Sequence, residues 1–596
     1  MTHFNKPSLQ ELLSQLEACQ PQEWCGLLEG ESHNFIAIPL RGVAGSLHDT
    51  ARRGKRVRRV SSFHSKWSTR HRSNSGIRMK CATQAIRTAA FAYSQLYART
   101  TAKEIKQPLE GVVNGEIPPW LKGSFLVNGP GQASVGPDRY RHAFDGLALL
   151  REFTVSDGRA WYRHRFLQSE TFRRNQLSGR IVVSEFGTAG SEDPCKGALE
   201  RFISRYSLVE DFTDNALVNV TPIGDQLCAM TESPYLHRIN ASTLDTMGRI
   251  DLRNLASLHT IAAHPHTYEG YTYLLGTRFT PPRPKYVLLR FPNSEEMSGC
   301  ESILENARVM TEVPLKSQLY PSYIHSFAVT QNWIVLIEQS LIISLPRLLL
   351  SKPMQTHGFV SCMQFDNKRR ARFHVIDRKT GALHLTNIET EPLFVFHHIN
   401  AFEQNDGSEV VVDVCAYDDD AFIRSMYLDH DSRTPNTRFG QVRRFVLDLE
   451  GGCSSSSPRL THPVRCYSQG GLRGEMPRIN ELYNGRRYRY AYLLSQADED
   501  DRKEDIFLSK LDLDSGDWLR WQCADWVPSE PVMVPKPGSE VEDDGVLLSP
   551  LVHASDECQR ALLVLDAASF RQLAFVRFFT DCAAPATFHG CFLQAS

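Results

Sequence analysis

The 596-residue chain predicts an all-β fold, with a propeller favoured over a sandwich or barrel. Three observations carry that prediction. Beyond residue 105 the chain is built of short apolar runs, the runs are separated by Asp-Gly and kindred turn pairs, and the span is too long for one sandwich. Taken in order, Val155-Ser156-Asp157-Gly158 leads into Trp161-Tyr162, and Thr380-Gly381 separates Phe373-His374-Val375-Ile376 from Leu383. Asn405-Asp406-Gly407 precedes Val410-Val411-Val412-Asp413-Val414. Asp514-Ser515-Gly516-Asp517 follows Phe507-Leu508-Ser509-Lys510-Leu511-Asp512, and Asp544-Gly545 leads into Val546-Leu547-Leu548. Residues 105–596 would give seven blades of roughly 70 residues, room for four strands and their loops. No repeat such as a Trp-Asp signature marks the units, so the residues alone fix no blade count.

Composition is that of a globular protein, 41% apolar, 23% charged and 10% aromatic, with a formal net charge of −1 that gives no case for a nucleic-acid partner. The balance conceals an asymmetry. Between Thr50 and Lys103 there are 14 Lys or Arg and no Asp or Glu, densest at Arg52, Arg53, Lys55, Arg56, Arg58 and Arg59. Residues 1–104 are therefore read as an N-terminal extension, basic from about residue 50 and largely disordered, and 105–596 as the folded domain. An anionic lipid contact or a targeting segment is the alternative for the basic run. No apolar run is long enough to cross a bilayer, and the first 20 residues lack a secretory signal. The 14 cysteines form no Cys-x-x-Cys pair, which points to a reduced, cytoplasmic setting rather than a disulfide framework. Nothing in the sequence indicates an oligomeric state. Gly451-Gly452-Cys453 with Ser454 to Ser457, and Asp498-Glu499-Asp500-Asp501, read as solvated loops.

Four histidines stand in short signatures of their own. They are His264 in Ala263-His264-Pro265-His266, His325 in Pro321-Ser322-Tyr323-Ile324-His325-Ser326-Phe327, His397 in Phe396-His397-His398-Ile399-Asn400, and His589 in Thr587-Phe588-His589-Gly590. A single histidine is more often a hydrogen-bonded core or surface residue than a ligand. Four imidazoles spread over half a chain cannot form a local metal loop, but a closed fold can bring them to one axis to hold a transition metal.

Further motifs run in order along the chain: Gly123-Ser124-Phe125, Asn128-Gly129-Pro130-Gly131, Phe144-Asp145-Gly146, Ser184-Glu185-Phe186-Gly187-Thr188, Asp193-Pro194-Cys195-Lys196, Pro528-Ser529-Glu530-Pro531 and Glu542-Asp543-Asp544-Gly545-Val546. With the histidine signatures, they resemble the carotenoid cleavage oxygenases from about residue 105 to the C-terminus, and within them the β-carotene oxygenase and insect isomerooxygenase branches. The resemblance implies a seven-bladed propeller with Fe(II) (Fe2+) on its axis, held by His264, His325, His397 and His589 and capped by loops and short helices that form a substrate tunnel. It implies that Glu232, Glu475 and Glu530 hold His325, His397 and His589 in turn, leaving His264 without a carboxylate. Four neutral imidazoles leave an octahedral ion two open positions, unlike the closed tetrahedron zinc prefers. The implied reaction is oxidative scission of a conjugated C=C bond of a carotenoid by O2 into retinal-type aldehydes, with or without trans-to-cis isomerisation. Two departures stand out. Val127 replaces the family's usual Arg, and Thr267-Tyr268-Glu269-Gly270 lacks its Asp-x-Asp-Gly.

Phe186 and Thr231 match positions that line the family's tunnel, core packing being the alternative for Phe186. Leu345, Leu348, Leu349 and Leu350, with Arg347 and Lys352, match an apolar patch that family members lay on one leaflet, so a peripheral membrane contact is expected there. A buried strand is the alternative for residues 334–343. Cys195 matches a proposed palmitoylation motif, with an idle cysteine as the alternative. Two rival functions remain at this stage. One is a retinoid isomerohydrolase acting on retinyl esters with the same iron ligands, as in the visual cycle; the other is a lipid-binding propeller without catalysis.

Overall fold

The computed structural model describes residues 93–595 except 192–212, 225, 280–283, 294–305, 355–357, 429–437, 451–464, 468–470 and 498–505. All of these lie in one compact unit, Thr88–Ser596. The basic run up to residue 92, Cys195, the serine run and the acidic loop fall outside the described residues.

The strands form a seven-bladed β-propeller. Blade one orders Ile105–Glu110, Arg159–Phe166, Leu147–Ser156, Gly123–Val127 and Gly590–Gln594, and blade two is the four-stranded run from Asn219–Ile223 to Thr246–Asp251. Blade three spans Thr260–Ile261 to Arg308–Pro314, and blade four spans Ala328–Val329 to Leu383–Thr390. Blades five and six share one continuous sheet, from Phe394–Gln404 to Trp518–Trp521, joined where Gly440–Asp448 pairs Leu472–Arg478. Blade seven holds Val532–Pro535, Gly545–His553, Gln559–Asp566, Gln572–Phe579 and the early strand Val112–Gly115.

The turn pairs do what their chemistry predicts. Asp157 and Gly158 both have positive φ, 51° and 74°, and link two strands paired from Leu149 to Ser156, the handedness that suits a twisted hairpin. Asn405, Asp406 and Gly407 are likewise left-handed between Phe394–Gln404 and Glu409–Tyr417. Glu269 and Gly270 make the same kind of turn, so the departure from Asp-x-Asp-Gly leaves the hairpin intact, and Glu269 takes a bond from Arg378.

Two pairings close the ring. The C-terminal strand Gly590–Gln594 pairs with Gly123–Val127, and Val112–Gly115 pairs with Gln572–Phe579, so both ends of the domain are woven into neighbouring blades. Separate apolar clusters fill the wedges between blades. One joins Phe125, Phe153 and Tyr162 to Leu562 and Phe578; another sets Phe373 and Val375 against Val412 and Phe445. Val127, at the position of the expected Arg, is fully buried in the first of these.

The stretch 93–104, read from the sequence as part of the extension, lies within the propeller's unit. Tyr93–Tyr97 forms a 3-10 turn whose Tyr93, Leu96 and Tyr97 are buried. The apolar run after residue 333 divides into strands Trp333–Glu338 and Leu341–Ile343 and a helix, Leu345–Met354, with Pro346 in its first turn where no N–H is needed. Leu345, Leu348 and Leu349 are half-buried and Arg347 is exposed; the side chain of Leu350 lies outside the described residues.

Candidate metal centre

Each histidine sits at or beside the innermost strand of a different blade. His264 precedes His266–Tyr268 in blade three and His325 precedes Ala328–Val329 in blade four. His397 lies within Phe394–Gln404 in blade five, and His589 precedes Gly590–Gln594 in blade one. The strand carrying His397 slips register between Val395 and Asn400, a bulge that re-aims its side chains. At His589 the backbone is clamped: Asn128 N–H donates to His589 O at 2.9 Å, and Phe588 N–H donates to Asn128 O at 2.8 Å. A Cβ on Gly590 would lie 2.0 Å from Leu126 O, so only glycine lets this strand approach.

The four rings converge. Nε2 of His264 lies 3.1 Å from that of His325, His325 lies 3.2 Å from His397, and His397 lies 3.2 Å from His589. All four ligand atoms fall within 4.8 Å of one another.

On the outer side of three rings stand carboxylates. His325 Nδ1 is 2.5 Å from Glu232, which also accepts from the Tyr323 hydroxyl. His397 Nδ1 is 2.5 Å from Glu475, which further accepts from Tyr417 Oη at 2.7 Å and Met476 N at 3.0 Å. His589 Nδ1 is 2.8 Å from Glu530, which accepts from Gly590 N at 3.0 Å and faces Arg478 Nη1 at 3.8 Å. No carboxylate reaches His264 among the described residues. A ring that gives its Nδ1 proton to a carboxylate presents a bare lone pair at Nε2. Three such lone pairs at about van der Waals separation repel unless a cation sits among them. The donor set therefore fits a metal ion.

Electrostatics agree. Burial pushes His264 well below the ordinary imidazole range, and the other three rings add to it. Burial also lowers His325, against the opposing pull of Glu232. Burial raises Glu475, but the charge of His397 and the bonds it accepts bring it below the usual carboxylate range. Glu530 behaves alike, with Arg478 as the leading opposing charge.

A cavity of about 720 Å³, mouth included, opens onto His325, His397 and His589. His264 is not part of its wall. The wall is largely aromatic: Phe144, Phe186, Phe396, Phe422, Phe439 and Phe588. Phe186 and Thr231, both singled out by resemblance, line it. Sequence reasoning did not single out Tyr417 or Arg478, nor the cavity-lining Tyr93 and Tyr97, and it quoted Asn128 only as part of the Asn128-Gly129-Pro130-Gly131 motif. Tyr323 was quoted only as part of the His325 signature; its alternation with that residue, two positions apart, was the available signal.

The fold and the site together define a propeller with an axial cluster of imidazoles facing a pocket for an apolar molecule. Residues 98–594 match the family described as retinal pigment epithelial membrane protein. The carotenoid isomerooxygenase of Galleria mellonella is 38% identical over 512 residues, covering 84% of this chain and 96% of that protein. The β,β-carotene 15,15′-dioxygenase of Mus musculus is 36% identical over 517 residues, covering 82% and 90%. In fold, the chain resembles the cobalt-substituted apocarotenoid oxygenase of Synechocystis, with a TM-score of 0.67 and 24% identity over 84% of this chain and 98% of that one. The chain belongs to the retinal pigment epithelial membrane protein family, the carotenoid oxygenases, and is an enzyme of that kind.

Proposed function

We propose that this protein is an Fe(II)-dependent dioxygenase that cleaves a conjugated C=C bond of a carotenoid, with His264, His325, His397 and His589 as the metal ligands. One observation carries the reading: four imidazole nitrogens converge beside an aromatic cavity that opens onto three of the rings. The charge count supports a divalent ion. Glu232, Glu475 and Glu530 bring three negative charges, which Arg478 and a dication together would balance. Bound there, iron would supply dioxygen activation, which side chains alone do not offer.

The chain's own residues set geometry. Glu232, Glu475 and Glu530 fix three rings in the tautomer whose Nε2 can ligate. Phe144, Phe186, Phe396 and Phe588 hold the polyene against the centre, exclude water, and select which double bond lies there. No acid, base or nucleophile is required of the protein. The helix Leu345–Met354 would rest on one leaflet and supply the insoluble substrate. Its mixture of half-buried leucines and an exposed Arg347 suits an interfacial position, and among the described residues no helix is long and apolar enough to cross a membrane.

The test is direct. The purified full chain should contain iron and convert β-carotene to aldehydes under oxygen but not under argon, with product geometry read in the same chromatogram, since the moth relative is an isomerooxygenase. Release of a retinol isomer from a retinyl ester under argon would establish the isomerohydrolase reading instead.

A further inference from the structure

We propose that Tyr93 and Tyr97 form a hydrogen-bonding post that reads an oxygen substituent on the polyene, making oxygen-bearing carotenoids or apocarotenoids the preferred substrates. The inference rests on the cleavage reading above and deepens it. Both tyrosines line the cavity yet precede residue 98, where the family match begins.

The segment carrying them is fixed rather than draped. Arg99 donates to Ala584 O, His553 O and Ala554 O at 3.2, 2.8 and 2.8 Å. Gln95 Nε2 donates to Leu428 O at 2.9 Å, and Ala586 N to Leu96 O at 3.1 Å. Tyr97 stacks on Phe588, the neighbour of His589, with centroids 5.0 Å apart and planes 17° apart, while Tyr93 meets Phe439 edge-on at 5.7 Å. The two phenols are held together by one bond, Oη to Oη at 2.6 Å.

A count of protons gives the function. Burial pushes both phenols far above their ordinary range, so each keeps its proton. Their mutual bond consumes one. The second O–H meets no acceptor among the described residues, where each phenol's only hydrogen-bond partner is the other. A buried donor left unpaired is costly, and in a wall otherwise mostly aromatic the remaining acceptor is an oxygen on the ligand. A ring hydroxyl and a terminal aldehyde share that chemistry; a hydrocarbon carotene offers none.

The experiment uses the full-length, iron-loaded protein and three probes: β-carotene, its ring-hydroxylated derivative, and a polyene aldehyde. Affinity is read by quenching of tryptophan fluorescence and turnover by product analysis. At least one oxygen-bearing probe should bind about 3- to 10-fold more tightly than β-carotene, the worth of one neutral hydrogen bond; which one does so separates hydroxyl from aldehyde. The Tyr93→Phe/Tyr97→Phe double variant should bring that ratio to about one with its iron content retained. The single variants should differ, since only the phenol nearer the ligand donates to it. A wild-type protein without preference, or a double variant that keeps it, overturns the proposal. Should the double variant fail to fold, retention of the full ratio in both single variants overturns it equally. Failure to cleave any probe would instead refute the cleavage reading, and the affinity ratio would still decide this one.

Discussion

Glu475 offers the sharpest test of how the carboxylates serve the metal. Its side chain is buried and meets three donors: His397 Nδ1, Tyr417 Oη and Met476 N. Glu475→Gln keeps an acceptor for His397 and can turn its amide toward Tyr417, so it removes the charge and preserves the shape. Exchanging a charge-assisted bond for a neutral one costs about 1–1.5 kcal/mol, which predicts roughly tenfold weaker iron binding. Glu475→Ala removes every acceptor, frees the His397 ring and strands three buried donors, so the loss should approach 100-fold, about 2.7 kcal/mol, the upper end for such partners. It should also lower unfolding stability by several kcal/mol, at about 1–3 per unpaired buried group. Anaerobic titration of Fe(II) into the apo-protein against a competing chelator measures the first, and urea unfolding of the apo-protein the second. The ordering wild type, Gln, Ala is the essential outcome. Iron affinity unchanged in both variants would refute the reasoning, because it would mean that the orientation and tautomer of His397 do not depend on Glu475.

Other expectations follow from the same geometry. Glu530→Ala should weaken iron binding about 10- to 100-fold and leave Arg478, next to the metal centre, with only Glu481 as a counter-charge, so a compensating Arg478→Met should recover part of the loss in the same titration. Gly590→Ala should displace the strand after His589, costing on the order of 3 kcal/mol and most of the bound iron, read by calorimetry and metal analysis. Phe186→Ala, which removes a ring packed on His142, Phe144 and Phe359, should leave iron content near wild type and broaden the set of bonds cleaved, read by chromatography of the aldehydes; an unchanged product profile would argue for mere packing. Replacing Leu348 and Leu349 with Asp should reduce sedimentation with liposomes, and undiminished binding would move the membrane contact elsewhere.

What the sequence could reveal depended on how local the determining physics is. Turn chemistry is local, so Asp157-Gly158 and Asn405-Asp406-Gly407 were readable as hairpins from four or five residues. The histidine signatures were readable because each packs against its own blade, with residues such as Ser326 and Asn400 buried beside them. The outer strands were not readable: Ile105–Glu110 and the ring-closing Val112–Gly115 are mostly exposed edge strands, and only their distant partners in Arg159–Phe166 and Gln572–Phe579 define them. Glu475 is hard to place from local pattern for a related reason. Met476, after it, adopts φ 46° and the strand slips register between Glu475 and Arg478, so the carboxylate reaches the axis through a bulge that no side-chain alternation announces. The N-terminal boundary shows the converse error. Charge counting placed the boundary of a largely disordered extension at residue 104, since the acid-poor window runs to Lys103, and average charge outweighed a short apolar pattern. Tyr93, Leu96 and Tyr97 recur at intervals of three and four, which is one face of a helical turn, and that face is buried against Phe439 and Phe588. Arg99 itself, counted as part of the basic run, is buried and donates to the backbone carbonyls of Ala584, on the segment that leads to His589, and of His553 and Ala554 in blade seven. A cation in a basic stretch is thus a structural clamp here, and residues that look like the end of a tail form one wall of the cavity.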